Sequence, residues 1–204
     1  MGEKVIVKNN ESSEYEAAIR EDFKEAIDHG ILVSNLAYLL AKELRMSEEY
    51  CKHIAVAGML HDIGKLKVSK YLYQRRNDTL LVEQMKYVRM HPTFSYEILR
   101  ERGYDDFVLE SIYHHHENYD GSGYPDNLKD INIPYGARIL RTCDVFSALV
   151  STRAYRSAFD IDTAMELMID EVKNFDMEIF LAFQRVINSE QFEPIKGFIK
   201  KLAN

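Results

Sequence analysis

The chain has 204 residues, enough for one domain with a continuous core and short for two. Its 46% hydrophobic and 29% charged residues place it with folded globular proteins, and no apolar run approaches the roughly 20 residues that span a bilayer. A formal net charge of -7 argues against a basic surface for extended nucleic acid, yet leaves room for a small phosphate ligand held through bound cations.

The opening MGEKVIVKNNESSEYE lacks the apolar core and small-residue cleavage site of a secretory signal, which predicts a cytoplasmic protein. Residues 1–13 read as a flexible tail before a domain over 14–204, with VIV near residue 5 the only hint of a strand. From Glu14 to Leu44, Ile27, Ile31, Val33, Leu36, Leu39 and Leu40 form a broad helical stripe, with a possible break at Gly30. A second helix runs from Ser47 to Leu60, with Gly64 as its terminator. His91-Pro92 opens the next and Gly103 closes it, because proline suits the first helical turn. Asp105 or Asp106 then caps a helix that runs through Ile112 toward His116. DGSGYP is a tight loop, and Pro134 starts a helix that continues through Asp144 to about Thr152. Helical patterns near 161–172, 176–188 and 193–203 complete an all-α, single-domain bundle. Phe175, Phe180, Phe183 and Phe192 belong to its core, as do two isolated thiols, Cys51 and Cys143, which fit a reducing compartment.

The seven histidines carry most of the chemical information. Glu25 and His29 stand one turn apart and can share an ion or form an ordinary side-chain pair. His61-Asp62 followed by Gly64-Lys65 supplies an imidazole, a carboxylate able to bridge two cations, a turn, and an ammonium suited to phosphate. Asp144 shares a helical face with Ala137, Leu140 and Ala148, where a carboxylate needs a cation: a metal, or else Arg138 or Arg141. HHHENYDGSGYP at 114–125 joins tandem imidazoles to a glycine-rich loop and is the strongest local signal.

HDIGK at 61–65 and HHENYDGSGYP at 115–125 resemble, in this order, the two namesake motifs of HD-GYP phosphodiesterases within the HD phosphohydrolases. The resemblance runs from about His29 through Arg156 and faintly to NFDMEIFLAF at 174–183. It implies metal ligation by His29, His61, Asp62, His91, His115, His116 and Asp144, with Glu25 at a position that holds a third metal in some members. It also implies that Lys65 and Arg153 hold substrate phosphates, while Asp120, Gly121, Gly123, Tyr124 and Pro125 form the loop that shapes the pocket. His53 and His114 match no family position and read as structural. Ser95 stands where the family has Gly, Ser147 where it has Asp, and Ala154 where it has Pro. The segment from 66 to 90 lacks the usual IP and KPG landmarks.

The implied activity is hydrolysis of a cyclic dinucleotide, cyclic di-GMP foremost, to linear pGpG or GMP by a metal-activated water, with Asp62 and Lys65 at the reacting centre. Two or three divalent ions are implied. The imidazole and carboxylate set suits iron or manganese, with zinc open on ligand type alone. Two other readings stand beside it: a phosphohydrolase for another nucleotide, cyclic or not, and a degenerate member that binds a cyclic dinucleotide or partner protein without hydrolysis. The family implies signalling partners such as diguanylate cyclases. Oligomeric state is left open, and so is the choice between guanine and adenine.

Overall fold

The computed structural model describes residues 4–68, 86–152 and 156–202, with side chains from Lys24 onward. Helix α1 spans Lys4–Glu43 and α2 Glu48–Leu60. After them come α3 (His91–Glu101), α4 (Asp106–Tyr113) and α5 (Tyr135–Leu149). The last three are α6 (Ile161–Asp170), α7 (Met177–Ile187) and α8 (Glu193–Leu202). No β-strand occurs among the described residues. The VIV stretch and residues 4–13, expected as a strand hint and a tail, lie within α1, since no Pro or Gly interrupts the chain between Lys4 and His29.

Gly30 does not break α1; it lets another helix approach. A Cβ at Gly30 would sit 2.8 Å from the Met59 carbonyl oxygen, and one at Gly58 would sit 3.0 Å from Ser34 Cα. The two glycines therefore let α1 and α2 pack backbone to backbone as an antiparallel hairpin. Its turn is held by a Met46 N–H to Ala41 O bond of 3.0 Å, with Arg45 at φ 58°. Ser47 then caps α2 by accepting from Tyr50 N–H. Asp105, Asp160 and Asp176 cap α4, α6 and α7 in the same way.

Helix α5 runs through the middle of the bundle, its 15 residues packed by α1, α2, α4, α6 and α7. Leu32, Leu36 and Leu40 of α1, Ile54 of α2 and Ile112 of α4 are fully buried with Ile139, Leu140 and Phe146 of α5. Phe146 meets Phe183 edge-on at 5.2 Å and Phe192 at 6.3 Å, which ties the C-terminal helices to α5. Phe175, Phe180, Cys51 and Cys143 are buried with them, and both cysteines are free thiols. No described helix is long and apolar enough to cross a membrane.

Candidate metal centre

Five separate elements deliver the polar side chains to one interior point. His29 comes from α1, His61 and Asp62 from the end of α2, His91 from the start of α3, His115 and His116 from the end of α4, and Asp144 from α5. His29 Nε2 lies 3.0 Å from Asp144 Oδ1 and 3.7 Å from Asp62 Oδ2. His61 Nε2 lies 3.3 Å from Asp62 Oδ2 and 3.6 Å from Asp144 Oδ1. On the other side, His91 Nε2 is 3.1 Å from Asp62 Oδ1, 3.3 Å from His115 Nε2 and 3.2 Å from His116 Nε2. The two oxygens of Asp62 thus face different histidine groups.

The backbone sets the tautomers. His61 Nδ1 is 2.8 Å from Gly58 O, His91 Nδ1 is 2.7 Å from Val88 O, and His115 Nδ1 is 2.6 Å from Ile112 O. A carbonyl only accepts, so each Nδ1 carries a proton and donates it, which turns the Nε2 edge of each ring toward the cluster. Burial, reinforced by His116, His61 and His91, pushes the His115 pKa well below its usual value. Burial likewise brings His116 down to about 3 and lowers His29. His91 Nε2 thus has the Nε2 atoms of His115 and His116 at 3.3 and 3.2 Å and Asp62 Oδ1 at 3.1 Å. Three imidazole nitrogens and a carboxylate oxygen converging in this way form a set of donor atoms suited to a cation.

The carboxylates complete the electrostatics. Burial resists ionisation of Asp62, yet His61 and Lys65 hold its pKa well below normal; burial is likewise outweighed at Asp144 by His29 and His61. Burial also opposes charge on His61, but Asp62 and Asp144 together raise it to about 10. The field beside His61 is thus negative enough to attract a cation. His61 Nε2 is buried with no hydrogen-bond partner among the described residues, an orphan that a metal would satisfy. Three overlapping triads, His29-His61-Asp62, His61-His115-Asp144 and His91-His115-His116, each bring their ligand atoms within 4.8 Å of one another. The imidazole and carboxylate set, without thiolate, fits divalent metals.

Glu25 is exposed one turn before His29 and belongs to none of these triads. Lys65 Nζ pairs with Asp62 Oδ2 at 2.5 Å, at the half-exposed edge of the cluster. Arg138 does not neutralise Asp144, because it pairs with Asp176 at 2.6 Å. His114 binds Asp126 at 3.1 Å and His53 lies 3.8 Å from Asp105, both outside the cluster. Arg153 and Ala154 lie outside the described residues, as does most of the 66–90 segment.

The surroundings show residues that local sequence did not reveal. Ser95 is fully buried; its Oγ donates to His61 O at 2.7 Å and accepts from Gly64 N–H at 2.8 Å. This clamps the HD turn onto α3, next to His91. Gly64 allows the approach, since a Cβ there would meet His91 O at 2.2 Å. On the loop side, a Cβ at Gly123 would lie 2.2 Å from Asn118 N, so GSGYP folds directly onto the chain after His116. Buried Glu117 accepts from Asp126 N–H at 2.7 Å and pins the far end of that loop. Tyr124, followed by a cis peptide to Pro125, stacks on His116 at 4.8 Å, with the Arg89 guanidinium 5.4 Å over its ring. Asp120 instead accepts from Ser122 N–H and Oγ in a turn within the loop, where Gly121 has φ +85°.

Known proteins agree with this architecture. The chain is 38% identical over 136 residues to the cyclic di-GMP phosphodiesterase response regulator RpfG of Xanthomonas campestris, covering 65% of this chain and 35% of that protein. It is 33% identical over 166 residues to 3'3'-cGAMP-specific phosphodiesterase 1 of Vibrio cholerae, covering 80% of this chain and 38% of the relative. The chain therefore spans little more than a third of these relatives. Among solved structures, the HDG"Y"P protein Bd1817 of Bdellovibrio bacteriovorus superposes with a TM-score of 0.64 at 20% identity, over 80% of this chain and 53% of that one. The HD domain of Listeria monocytogenes phosphodiesterase PgpH in complex with cyclic-di-AMP does so with a TM-score of 0.55 at 16% identity, over 84% and 90%. These two likenesses concern the fold. The HD domain family model matches residues 4–179, and the chain, with the HD and GYP motifs both at its buried histidine cluster, belongs to the HD-domain family.

Proposed function

We propose that the chain is a metal-dependent phosphodiesterase that hydrolyses a cyclic dinucleotide, cyclic di-GMP foremost, with two divalent ions, iron or manganese, held by His29, His61, Asp62, His91, His115, His116 and Asp144. The observation that carries this reading is the convergence of three Nε2 atoms, those of His115 and His116 lying 3.3 and 3.2 Å from that of His91, beside a carboxylate whose two oxygens face different histidine groups. Metals so held would supply positive charge to the phosphate oxygens and acidify the attacking water. Asp62 would help hold both ions, and its pairing with Lys65 keeps an ammonium at the edge of the centre where a phosphate oxygen would arrive. Tyr124, stacked on His116, gives the entering nucleotide an aromatic wall, and Gly123 and Pro125 fix that wall in place. Arg153 is a second phosphate ligand in this reading. Glu25, exposed and outside the triads, is left without a metal, which favours two ions over three.

Cyclic di-GMP is favoured by the name of the relative RpfG; the Vibrio cholerae relative named for 3'3'-cGAMP makes the mixed dinucleotide the second reading. The test is elemental analysis of anaerobically purified protein, with chromatography of cyclic di-GMP and cGAMP digests, for the wild type and Asp62→Ala. Metal and turnover should vanish together in the variant. An Asp62→Ala protein with unchanged metal and rate refutes the assignment.

A further inference from the structure

Arg141 stands one turn before Asp144 on α5 and so shares the face that carries Asp144 into the histidine cluster. Its Nε is buried without a hydrogen-bond partner among the described residues. Arg138, one turn earlier, has the Asp176 carboxylate at 2.6 Å, so the two arginines of this helix differ in kind. The Asp144 carboxylate, the first charge to act on Arg141, and the Glu171 carboxylate both lie beyond ion-pair distance of it, held instead by His29 and Asn174. A sunken guanidinium with no direct anion is costly to desolvate, and the cost is recovered when an anion arrives.

The position of Arg141 says which anion. It shares the face of α5 that carries Asp144 into the cluster, and the loop side of that cluster is walled by Tyr124 stacked on His116. Lys65, paired with Asp62 at the edge of the centre, is placed for the reacting phosphate. A cyclic dinucleotide carries two phosphodiester groups, and hydrolysis engages one of them at the ligand cluster. The geometry points to Arg141 as the residue that binds the second, non-reacting phosphate of the cyclic dinucleotide, beside Tyr124. Arg89, lying 5.4 Å over the Tyr124 ring, flanks the same position. Arg141 would thus select a substrate with two phosphates over one with a single phosphate. The assignment rests on the hydrolase reading above and deepens it.

Manganese-loaded wild type, Arg141→Gln and Arg141→Lys are compared on cyclic di-GMP and on bis(p-nitrophenyl) phosphate, which has one phosphate. Arg141→Gln should raise KM for cyclic di-GMP about tenfold, the worth of one charge-assisted hydrogen bond. Its loss in kcat/KM on cyclic di-GMP should exceed the loss on the single-phosphate diester by a similar factor, and Arg141→Lys should recover part of it. Equal losses on the two diesters, or a KM within about twofold of wild type, overturn the assignment. If the wild type cleaves neither diester, the hydrolase reading has failed and calorimetry with cyclic di-GMP decides: a Kd weakened about tenfold in Arg141→Gln upholds the phosphate contact. An unchanged Kd, or no binding by the wild type, overturns it.

Discussion

Ser95 offers a sharp test of how the centre is built, because its hydroxyl binds two positions of the HD turn, 31 and 34 residues away. In Ser95→Ala, His61 O loses its donor and Gly64 N–H its acceptor, both in a region closed to water. Each orphaned buried group costs about 1–3 kcal/mol, so the metal-free protein should lose about 2–4 kcal/mol. For a chain of this size each kcal/mol moves Tm by about 2–4 °C, which sets the expected drop at about 5–15 °C. Urea denaturation of chelated protein, with m held common, measures the first quantity. Manganese titration measures the second consequence, weaker binding, because the clamp fixes the turn that carries His61 and Asp62 against the helix that carries His91. Stability within about 0.5 kcal/mol of wild type would refute the clamp itself. A clear stability loss with unchanged manganese affinity would leave Ser95 a fold residue and refute its role in positioning ligands.

Gly123→Ala places a Cβ 2.2–2.5 Å from backbone atoms of Asn118, Glu117 and His116, none of which can rotate away. Thermal melts should show a loss of about 1–3 kcal/mol and kinetics a raised KM as Tyr124 leaves His116; wild-type values in both assays would contradict the packing of the loop. The pH dependence of the metal-free protein should be two-sided. His29, His115 and His116 have folded pKa values below the unfolded value near 6.5, so the unfolded chain binds more protons below that pH and stability falls as pH drops. Each fully depressed histidine contributes a slope of at most about 1.4 kcal/mol per pH unit. His61, raised to about 10, acts in the opposite sense: its contribution is complete below pH 6.5 and is lost as pH rises toward 10. Melts of chelated protein from pH 5 to 9 should therefore peak near 6.5 and fall more steeply on the acid side, and a flat acid limb would show that the three rings are not held neutral.

Much of the fold was legible because its signals are local. Ser47 and Asp105 sit at helix starts and Gly103 closes α3 with φ +77°, where a side chain would be strained. HDIGK and HHENYDGSGYP announced themselves because adjacent imidazoles and carboxylates bounded by glycines have few structural uses. What stayed hidden depends on partners far along the chain. Nothing near Gly30 says whether it breaks a helix or admits a neighbour; only the approach of Met59 decides. Ser95 read as a departure from the family's glycine, whereas its hydroxyl supplies a cross-link that glycine cannot. The same applies to α5, where Arg138 and Arg141 look alike in sequence and the Asp176 cap of α7 takes only the first. Asp120, grouped with the loop's substrate contacts, turns to Ser122 because an aspartate followed by small residues readily bonds its own backbone.

The centre also explains why so large a part of the bundle is spent on framing it. Three of its seven converging side chains lie close in sequence to fully buried core residues: Leu32 follows His29 by one turn, Ile112 precedes His115 by one, and Phe146 follows Asp144 by two positions. Burying imidazoles and carboxylates in that setting lowers the stability of the metal-free fold, since their desolvation is only partly offset by the Gly58, Val88 and Ile112 carbonyls. A ligand that binds the folded state alone returns that free energy, by about 2.7 kcal/mol at a hundredfold excess over Kd. In the proposed reading the five elements that meet at the centre are coupled through it: each brings buried polar groups that are unfavourable alone and would become mutually stabilising once a cation is shared. Asp62 is the point of strongest coupling, because its two oxygens are the contact between the His29-His61 side and the His91 side.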